Sequence, residues 1–356
     1  PGFNDRKLAL SAASLIALEN LSVSQHFAHG FSPIRRIHIS RVGDFGSVDI
    51  NANDYQREYF GGVVLARDLG MALETRVAEL KNLTIYRPAK VLQVTPDSKS
   101  PEVLVECDGK HQTISARILI GADGTQSTVR SALSIGTDDF DYRQHLFVCS
   151  LQTGQMSDGS AYERFSSQGP VALLPMPGGQ YGAICGVEME QVKRVAAFSD
   201  AEYLDYFQQR FGWRAGRIRR VGARTHYPLK KVIANDIIGP GCVLMGNAAQ
   251  TLHPIGAQGF NLGLRDALSF AECLQSHDLQ GPEFLSSYRD SRREDREQTI
   301  AFSDGLARFT SQENGLAKTM RSLGLLGLGL SADLQTPIVN GAMGYRGITP
   351  KLARRY

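Results

Sequence analysis

Residues 242–274 constrain this chain more than any other stretch. They open on a short apolar run, Cys242-Val243-Leu244-Met245, which is halted by Gly246. They close on Leu264, Ala267, Leu268, Ala271 and Leu274, spaced by the steps that put side chains on one face of a helix. Between the two lie Pro254, Gly256 and Gly259, which break regular structure and let another molecule approach the backbone. A strand, a glycine-rich loop and a helix start together make a place for negative charge. The first-turn N–H groups have no acceptor within the helix, and the helix dipole is positive there.

A glycine-rich turn by itself is common, but the full string is not. Gly246-Asn247, Ala248-Ala249, Pro254, Gly259, Asn261 and Asp266 stand at the offsets of G-D-A-A-H-x3-P-x4-G-x-N-x4-D. This resembles the second FAD-contacting motif of the group A FAD-dependent aromatic hydroxylase family. The surrounding wording is most similar to the ubiquinone-biosynthesis branch. Asn247 replaces the usual Asp and Gln250 the usual His. Asparagine keeps an acceptor oxygen for a ribityl hydroxyl but loses the charge.

Further upstream, residues 117–130 (RILIGADGTQSTVR) resemble the family's D-G-x-x-S-x-h-R fingerprint at Asp123, Gly124, Ser127, Val129 and Arg130. The resemblance implies that Asp123 serves both FAD and NAD(P)H and that Gly124 allows close backbone approach. Ser127 is placed to cap a helix, and Arg130 to tie that helix to its surroundings. Arg6, just after Asp5, resembles the family's pyrophosphate-binding arginine, against the plainer reading of a solvated helix-start charge. Arg67 is implied near the cofactor on a looser match. The implied cofactor set is thus Arg6, Arg67, Asp123, Gly124, Gly246, Asn247, Pro254, Gly256, Gln258, Gly259, Phe260 and Asn261. Backbone N–H groups around Gly256–Asn261 are expected to stabilise the anionic reduced flavin. His253, Pro254 and Ile255 are the implied catalytic segment, lying against the flavin ring. His253 is read either as a proton carrier or as a hydrogen-bonding wall residue.

The resemblance implies an α/β fold, a Rossmann-like FAD/NAD(P)-binding monooxygenase domain interleaved with an antiparallel substrate sheet and followed by a helical C-terminus. We expect the FAD-binding part over residues 1–25, 60–136 and 233–285, the substrate sheet over 26–59 and 137–232, and the helical region over 286–356. Periodicity predicts a helix over 7–21, a hairpin over 34–50, a strand over 61–65 and a helix over 71–80. Strands follow at 83–86, 89–94, 103–107 and 118–120, with a turn at Asp108-Gly109. Four strand-like runs at 147–152, 162–165, 171–176 and 181–187 suggest the antiparallel sheet, with a helix over 200–210 upon it. A strand over 221–227 returns through a turn at Pro228-Leu229. The charged helix 284–308 is expected to present a solvated face of i,i+4 pairs. The Gly/Leu-rich tail 316–347 suits packing on the sheet, a subunit contact or a lipid surface. No strand leads into G-x-G-x-x-G, and the chain opens on Pro1 as if within a loop. We therefore expect the first βαβ unit, at least ~30 residues, to be absent upstream.

Several classes are disfavoured. A net charge of +3 gives no case for nucleic acid. Five scattered cysteines fit reduced thiols, and no histidine or cysteine spacing suggests a metal. There is no G-x-S-x-G elbow, no signal-peptide pattern and no apolar run long enough to span a bilayer. Chemistry without a protein nucleophile or metal belongs to a cofactor. The resemblance implies hydroxylation of a polyprenylated methoxyphenol in ubiquinone biosynthesis, with NAD(P)H, O2 and a flavin C4a-hydroperoxide. It also implies a cytoplasmic setting peripheral to the inner membrane, and contact with a biosynthetic assembly. Two alternatives stand beside it: a hydroxylase of another aromatic ring, and a non-catalytic scaffold or fragment unable to hold FAD.

Overall fold

The computed structural model describes residues 6–279, 281, 283–311 and 315–355; the expected loop at Pro1–Asp5 lies outside them. The chain begins with β1 (Lys7–Ser11) and α1 (Ala12–Asn20), followed by β2 (Ser32–Ile34), β3 (Arg36–Arg41), β4 (Ser47–Asn51), β5 (Gly61–Leu65) and α2 (Ala66–Ala78). Next come β6 (Ala89–Thr95), β7 (Glu102–Cys107), β8 (Lys110–Ser115), β9 (Leu119–Gly121) and α3 (Thr128–Ala132). The middle of the chain holds β10 (Thr137–Thr153), β11 (Ser160–Phe165), β12 (Val171–Pro175), β13 (Tyr181–Glu188), α4 (Val192–Ala196), α5 (Asp200–Phe211), β14 (Ile218–Val221) and β15 (Thr225–Ala234). The last part comprises β16 (Ile238–Gly239), β17 (Cys242–Leu244), β18 (Gln250–Thr251), α6 (Gln258–Ser276), α7 (Phe284–Ser311), α8 (Gly315–Leu330) and α9 (Ala332–Ala342).

A large sheet dominates, in the order β18-β15-β10-β13-β12-β11-β3-β4, with β14 on β10. It is antiparallel except where β11 runs parallel to β3. α5 covers one face: Tyr203, Phe207 and Phe211 pack with Phe147, Leu173 and Val187 in one buried cluster. α5 starts on a capping box in which Ser199 and Glu202 satisfy each other's backbone N–H groups. The opposite face meets the loops described below. Two small sheets carry those loops, β1-β5-β2 and β16-β17-β9. Within the second, β17 runs parallel to β9 with Val243 opposite Ile120 and Leu244 opposite Gly121. That pairing makes two sequence-distant motifs into neighbours.

Several expectations need correction. Residues 7–11 form a strand, because they pair with β5 (Leu10 opposite Gly62), and the helix starts only after Ser11, whose hydroxyl accepts from Ser14 N–H. No strand forms at 83–86: Leu83, Ile85 and Tyr86 are exposed and have no pairing segment. α2 starts at Ala66, five residues before the expected start at Met71. The returning strand is two strands, β14 and β15, and Pro228 sits within β15 rather than in a turn. It lies opposite His145, where the β10–β15 register shifts and its missing N–H costs little. β2 belongs with β1 and β5 rather than with the large sheet. The charged helix α7 is not simply solvated: Arg292, Asp295 and Thr299 are fully buried. The tail packs in part on the sheet, with Leu325 and Leu328 of α8 against Val48 and Ile50.

Candidate functional site

The loop from Gly246 to Ala257 leaves β17 and ends at α6. Gly246 has φ +55 and its N–H donates to Asp266 Oδ2 at 3.3 Å. α6 approaches so closely that a Cβ at Gly263 would lie 3.1 Å from Gly246 Cα and press on the loop backbone. Asn247 is exposed, facing away from this contact. Gly256 (φ +69) and Ala257 (φ +52) turn the chain into α6 through left-handed conformations, a strain of about 1 kcal/mol at the alanine.

Asp266 acts as a clamp. Besides Gly246 it accepts from Gln250 Nε2 at 2.6 Å and Arg292 Nε at 2.9 Å. Gln250 in turn accepts from Arg296 Nε at 3.0 Å. The slot therefore needs one donor and one acceptor on the same side chain, which the glutamine amide supplies where the usual motif has histidine. Asp295 lies behind it, bidentate to Arg265 (2.7 and 3.0 Å) and bonded to Arg292 at 2.7 Å. Periodicity showed α7 as charged but could not show that these charges turn inward to brace the loop.

Asn261 is also occupied by the chain itself. It accepts from Ser11 N–H at 2.9 Å and donates to the carbonyls of Ala9 (3.0 Å) and Ala257 (2.7 Å), sewing the start of α6 to β1. Its side chain is thus a structural staple between α6 and β1. The turn before α6 is similar. Ile255 N–H donates to His253 Nδ1 (3.2 Å) and Ala257 N–H to Pro254 O (2.8 Å). The N–H groups of Gln258, Gly259 and Phe260 lie in the first turn of α6, where a helix offers them no acceptor. A Cβ at Gly259 would meet open space, Phe260 is exposed, and buried Gln258 has an Oε1 with no partner.

His253 is 3 % exposed, packed edge-to-face on Tyr142 with ring centroids 4.7 Å apart. Its Nδ1 accepts from Ile255, so the neutral ring carries its proton on Nε2. Burial drives its pKa down to about 4, against a weaker opposing pull from Asp304. Of the two readings offered for His253, this environment matches the neutral wall. Ile255 is buried beside it, while Pro254 is half-buried.

On the neighbouring strand, Asp123 is exposed. Its carboxylate accepts from Ser127 Oγ (2.5 Å) and from the N–H groups of Thr128 (2.6 Å) and Val129 (3.2 Å). Ser127 caps α3 as expected, accepting from Arg130 N–H at 2.9 Å. Arg130 donates to Ala248 O at 2.8 Å and Thr125 O at 2.7 Å, and Thr125 meets Thr251 at 2.8 Å. The two motifs are physically laced together. Gly124 (φ +87) leaves open space where a side chain would stand. Arg6 and Arg67 sit together at the far end of the β1–β5 pair, where Ala66 N–H donates to Arg6 O at 2.8 Å. Arg67 lies 3.5 Å from Asp68, which is bonded to His29. Gly246, Asn247, Asp123 and Gly124 thus lie just beyond the paired strands β9 and β17, and residues 253–257 lead from the same loop into α6.

The residues fit FAD on two counts: two glycine loops open toward the same parallel strand pair, and Gln258 keeps a buried polar atom without a partner. Sequence reasoning missed Tyr142 and Asp304, which reach this seam from the large sheet and α7. Nothing in their local pattern marks them. Among the described residues there is no cluster of metal-ligand type, and no helix is long and apolar enough to cross a membrane.

The comparisons agree with this geometry. Residues 18–303 match the family model described as an FAD binding domain. An uncharacterized protein of Synechocystis sp. is 27% identical over 350 residues, covering 97% of this chain and 84% of the relative. The ubiquinone hydroxylase UbiL of Rhodospirillum rubrum is 31% identical over 299 residues, 83% of this chain and 69% of the relative. Among solved structures, p-nitrophenol 4-monooxygenase from Pseudomonas putida superposes with a TM-score of 0.76 at 16% identity, over 99% of this chain and 90% of that one.

Proposed function

This chain belongs to the FAD-binding-domain family of FAD-dependent hydroxylases, and from that premise we propose that it hydroxylates the ring of a polyprenylated methoxyphenol in ubiquinone biosynthesis, using NAD(P)H and O2. The observation that carries the reading is the seam itself. The 253–258 turn of the FAD-binding part meets the large sheet, with Tyr142 packed edge-to-face on His253 and bonded to Asp304 of α7. Bound there, FAD supplies the redox chemistry and the activation of oxygen.

The chain's own residues hold, orient and shield. The N–H groups of Gln258, Gly259 and Phe260, at the positive end of α6, suit the negative charge a flavin ring gains on reduction. Asn247 offers an uncharged acceptor to a ribityl hydroxyl, and Asp123, Gly124, Arg6 and Arg67 serve the phosphate-bearing part. His253, neutral and walled by Tyr142, helps keep water from the ring. We assign the FAD-binding part to residues 1–25, 60–136 and 233–285, and the substrate sheet to 26–59 and 137–232, with β2 exchanged to the former. Leu323, Leu330 and Leu334 are exposed on α8 and α9, which suits peripheral contact with the membrane that holds a prenylated substrate. A cytoplasmic protein at the inner membrane, in contact with other enzymes of the pathway, follows from the same reading.

The test is turnover with labelled oxygen. The chain loaded with FAD and given NAD(P)H should place one atom of 18O on a polyprenyl methoxyphenol. Labelling only of unprenylated phenols would favour another aromatic hydroxylase, and no labelling of either with FAD bound would favour a scaffold.

A further inference from the structure

The chain has a single tryptophan, Trp213, and it stands 68 % exposed just beyond the end of α5. It forms one wall of a cleft of about 670 Å3. α5 supplies Leu204, Asp205 and Gln208 to the opposite wall, and the segment entering β14 supplies Arg217 and Arg219. The chain itself holds the cleft open. Gln208 donates to the carbonyls of Gly212 (2.6 Å) and Gly216 (3.3 Å) and accepts from Ile218 N–H (2.7 Å), which bolts the loop carrying Trp213 to α5. Gly212 (φ +85) and Gly216 (φ +77) make the bends on either side of it. A cleft preformed in this way spends little ordering entropy when it is filled.

Its charge is one-sided. Trp213–Arg220 carries four arginines and no acidic residue, in a chain whose net charge is only +3. Among the described residues, Arg214, Arg217, Arg219 and Arg220 have no carboxylate within ion-pair distance, whereas nearby Arg224 is paired with Asp200 at 3.3 Å. Asp205 is the one carboxylate that lines the cleft. Guanidinium forks left unpaired are matched by carboxylates, which take them two bonds at a time. Tryptophan and arginine are also the residues that most often carry the energy of a protein interface. The α5 wall runs over two helical turns, about 11 Å. That is the length of about three residues of extended chain. A flat lipid surface would leave such a concavity unfilled, and a small anion would leave Trp213 and Leu204 bare.

We propose that this cleft docks a partner protein, which lays a short extended acidic segment along it. An apolar side chain of that segment sits between Trp213 and Leu204, and its carboxylates meet Arg217 and Arg219. α5 packs on the sheet face away from the 253–258 turn, so the partner binds without covering the cofactor seam and the inference stands apart from the flavin reading.

Trp213, as the sole tryptophan, makes the cleft its own reporter. The full chain is panned with a random peptide library displayed on phage, and the enriched peptides are synthesised and titrated while tryptophan emission is followed. The consensus should hold acidic residues on both sides of an apolar one, binding should move the emission to shorter wavelength, and added salt should weaken it. Replacing the acidic residues of the peptide by lysine should cost at least about tenfold in affinity, as should Arg217→Glu with Arg219→Glu in the chain. Trp213→Ala, read by the anisotropy of a labelled peptide, should cost about as much. FAD binding should be the same in all of these variants. No enrichment, a consensus without acidic residues, or affinity that survives the charge reversals would overturn the proposal. So would an emission shift with phosphatidylserine vesicles in the absence of any enriched peptide, which would assign the arginines to a lipid surface. The reversal made in the peptide needs no variant of the chain, and it decides if the double arginine variant does not fold.

Discussion

Replacing Asp295 by alanine is the sharpest test of how the cofactor loop is braced. Asp295 is 1 % exposed and holds two guanidinium groups. Arg265 would lose both of its carboxylate bonds (2.7 and 3.0 Å), while Arg292 would lose one and keep Asp266 at 2.9 Å. Removing one partner from a buried pair costs about 3–5 kcal/mol, because a charge is left in a dry site. At about 2.1 cal/mol/K of unfolding entropy per residue, a cooperative 356-residue chain should melt about 4–7 °C lower. Circular dichroism on heating, with chemical denaturation alongside, reads both quantities. Arg265→Met with Asp295→Leu removes one buried charge of each sign, leaves Arg292 paired with Asp266, and should recover most of the loss. A change under about 1 kcal/mol in Asp295→Ala would mean that the network is hydrated and does not brace α6 against α7.

Three further outcomes follow from the site. Burial lowers the His253 pKa to about 4, so unfolding takes up a proton below pH 6.5. The stabilisation is full above about pH 6.5 and lost as pH falls toward 4, by up to about 3 kcal/mol; His253→Gln should flatten that limb of a melting-temperature profile. Asn247→Asp restores a charged acceptor and should tighten FAD binding about fivefold, an advantage of about 1 kcal/mol, measured by flavin fluorescence quenching. Gly263→Ala sets a Cβ 3.1 Å from Gly246 Cα, and since backbone cannot yield cheaply it should cost about 1–3 kcal/mol in denaturation and weaken FAD at least tenfold.

Much of the fold was legible where the signal is local. The run Cys242–Leu244, the cap at Ser127, the hairpin turn at Asp108-Gly109 and the four strands from Phe147 onward lie where their spacing puts them. The failures share one cause: the deciding partner is distant in sequence. Lys7–Ser11 is a strand only because Gly61–Leu65 pairs with it, and residues 83–86 stay irregular because nothing does. At the site, the motif offsets identified the loop but not what its groups bind. The letters alone do not show that the Asn261 side chain bonds to β1, or that Gln250, standing where the usual motif has His, bonds to Asp266 and Arg296.

The central claim is that the loops after β9 and β17 together form a flavin site. Titration of the purified chain with FAD, followed in the visible spectrum, tests it most directly. Saturable binding with a perturbed flavin spectrum, weakened alike by substitution at Gly124 and at Gly263, is the result expected of a shared site. Absence of saturable binding, or binding indifferent to both positions, would contradict it.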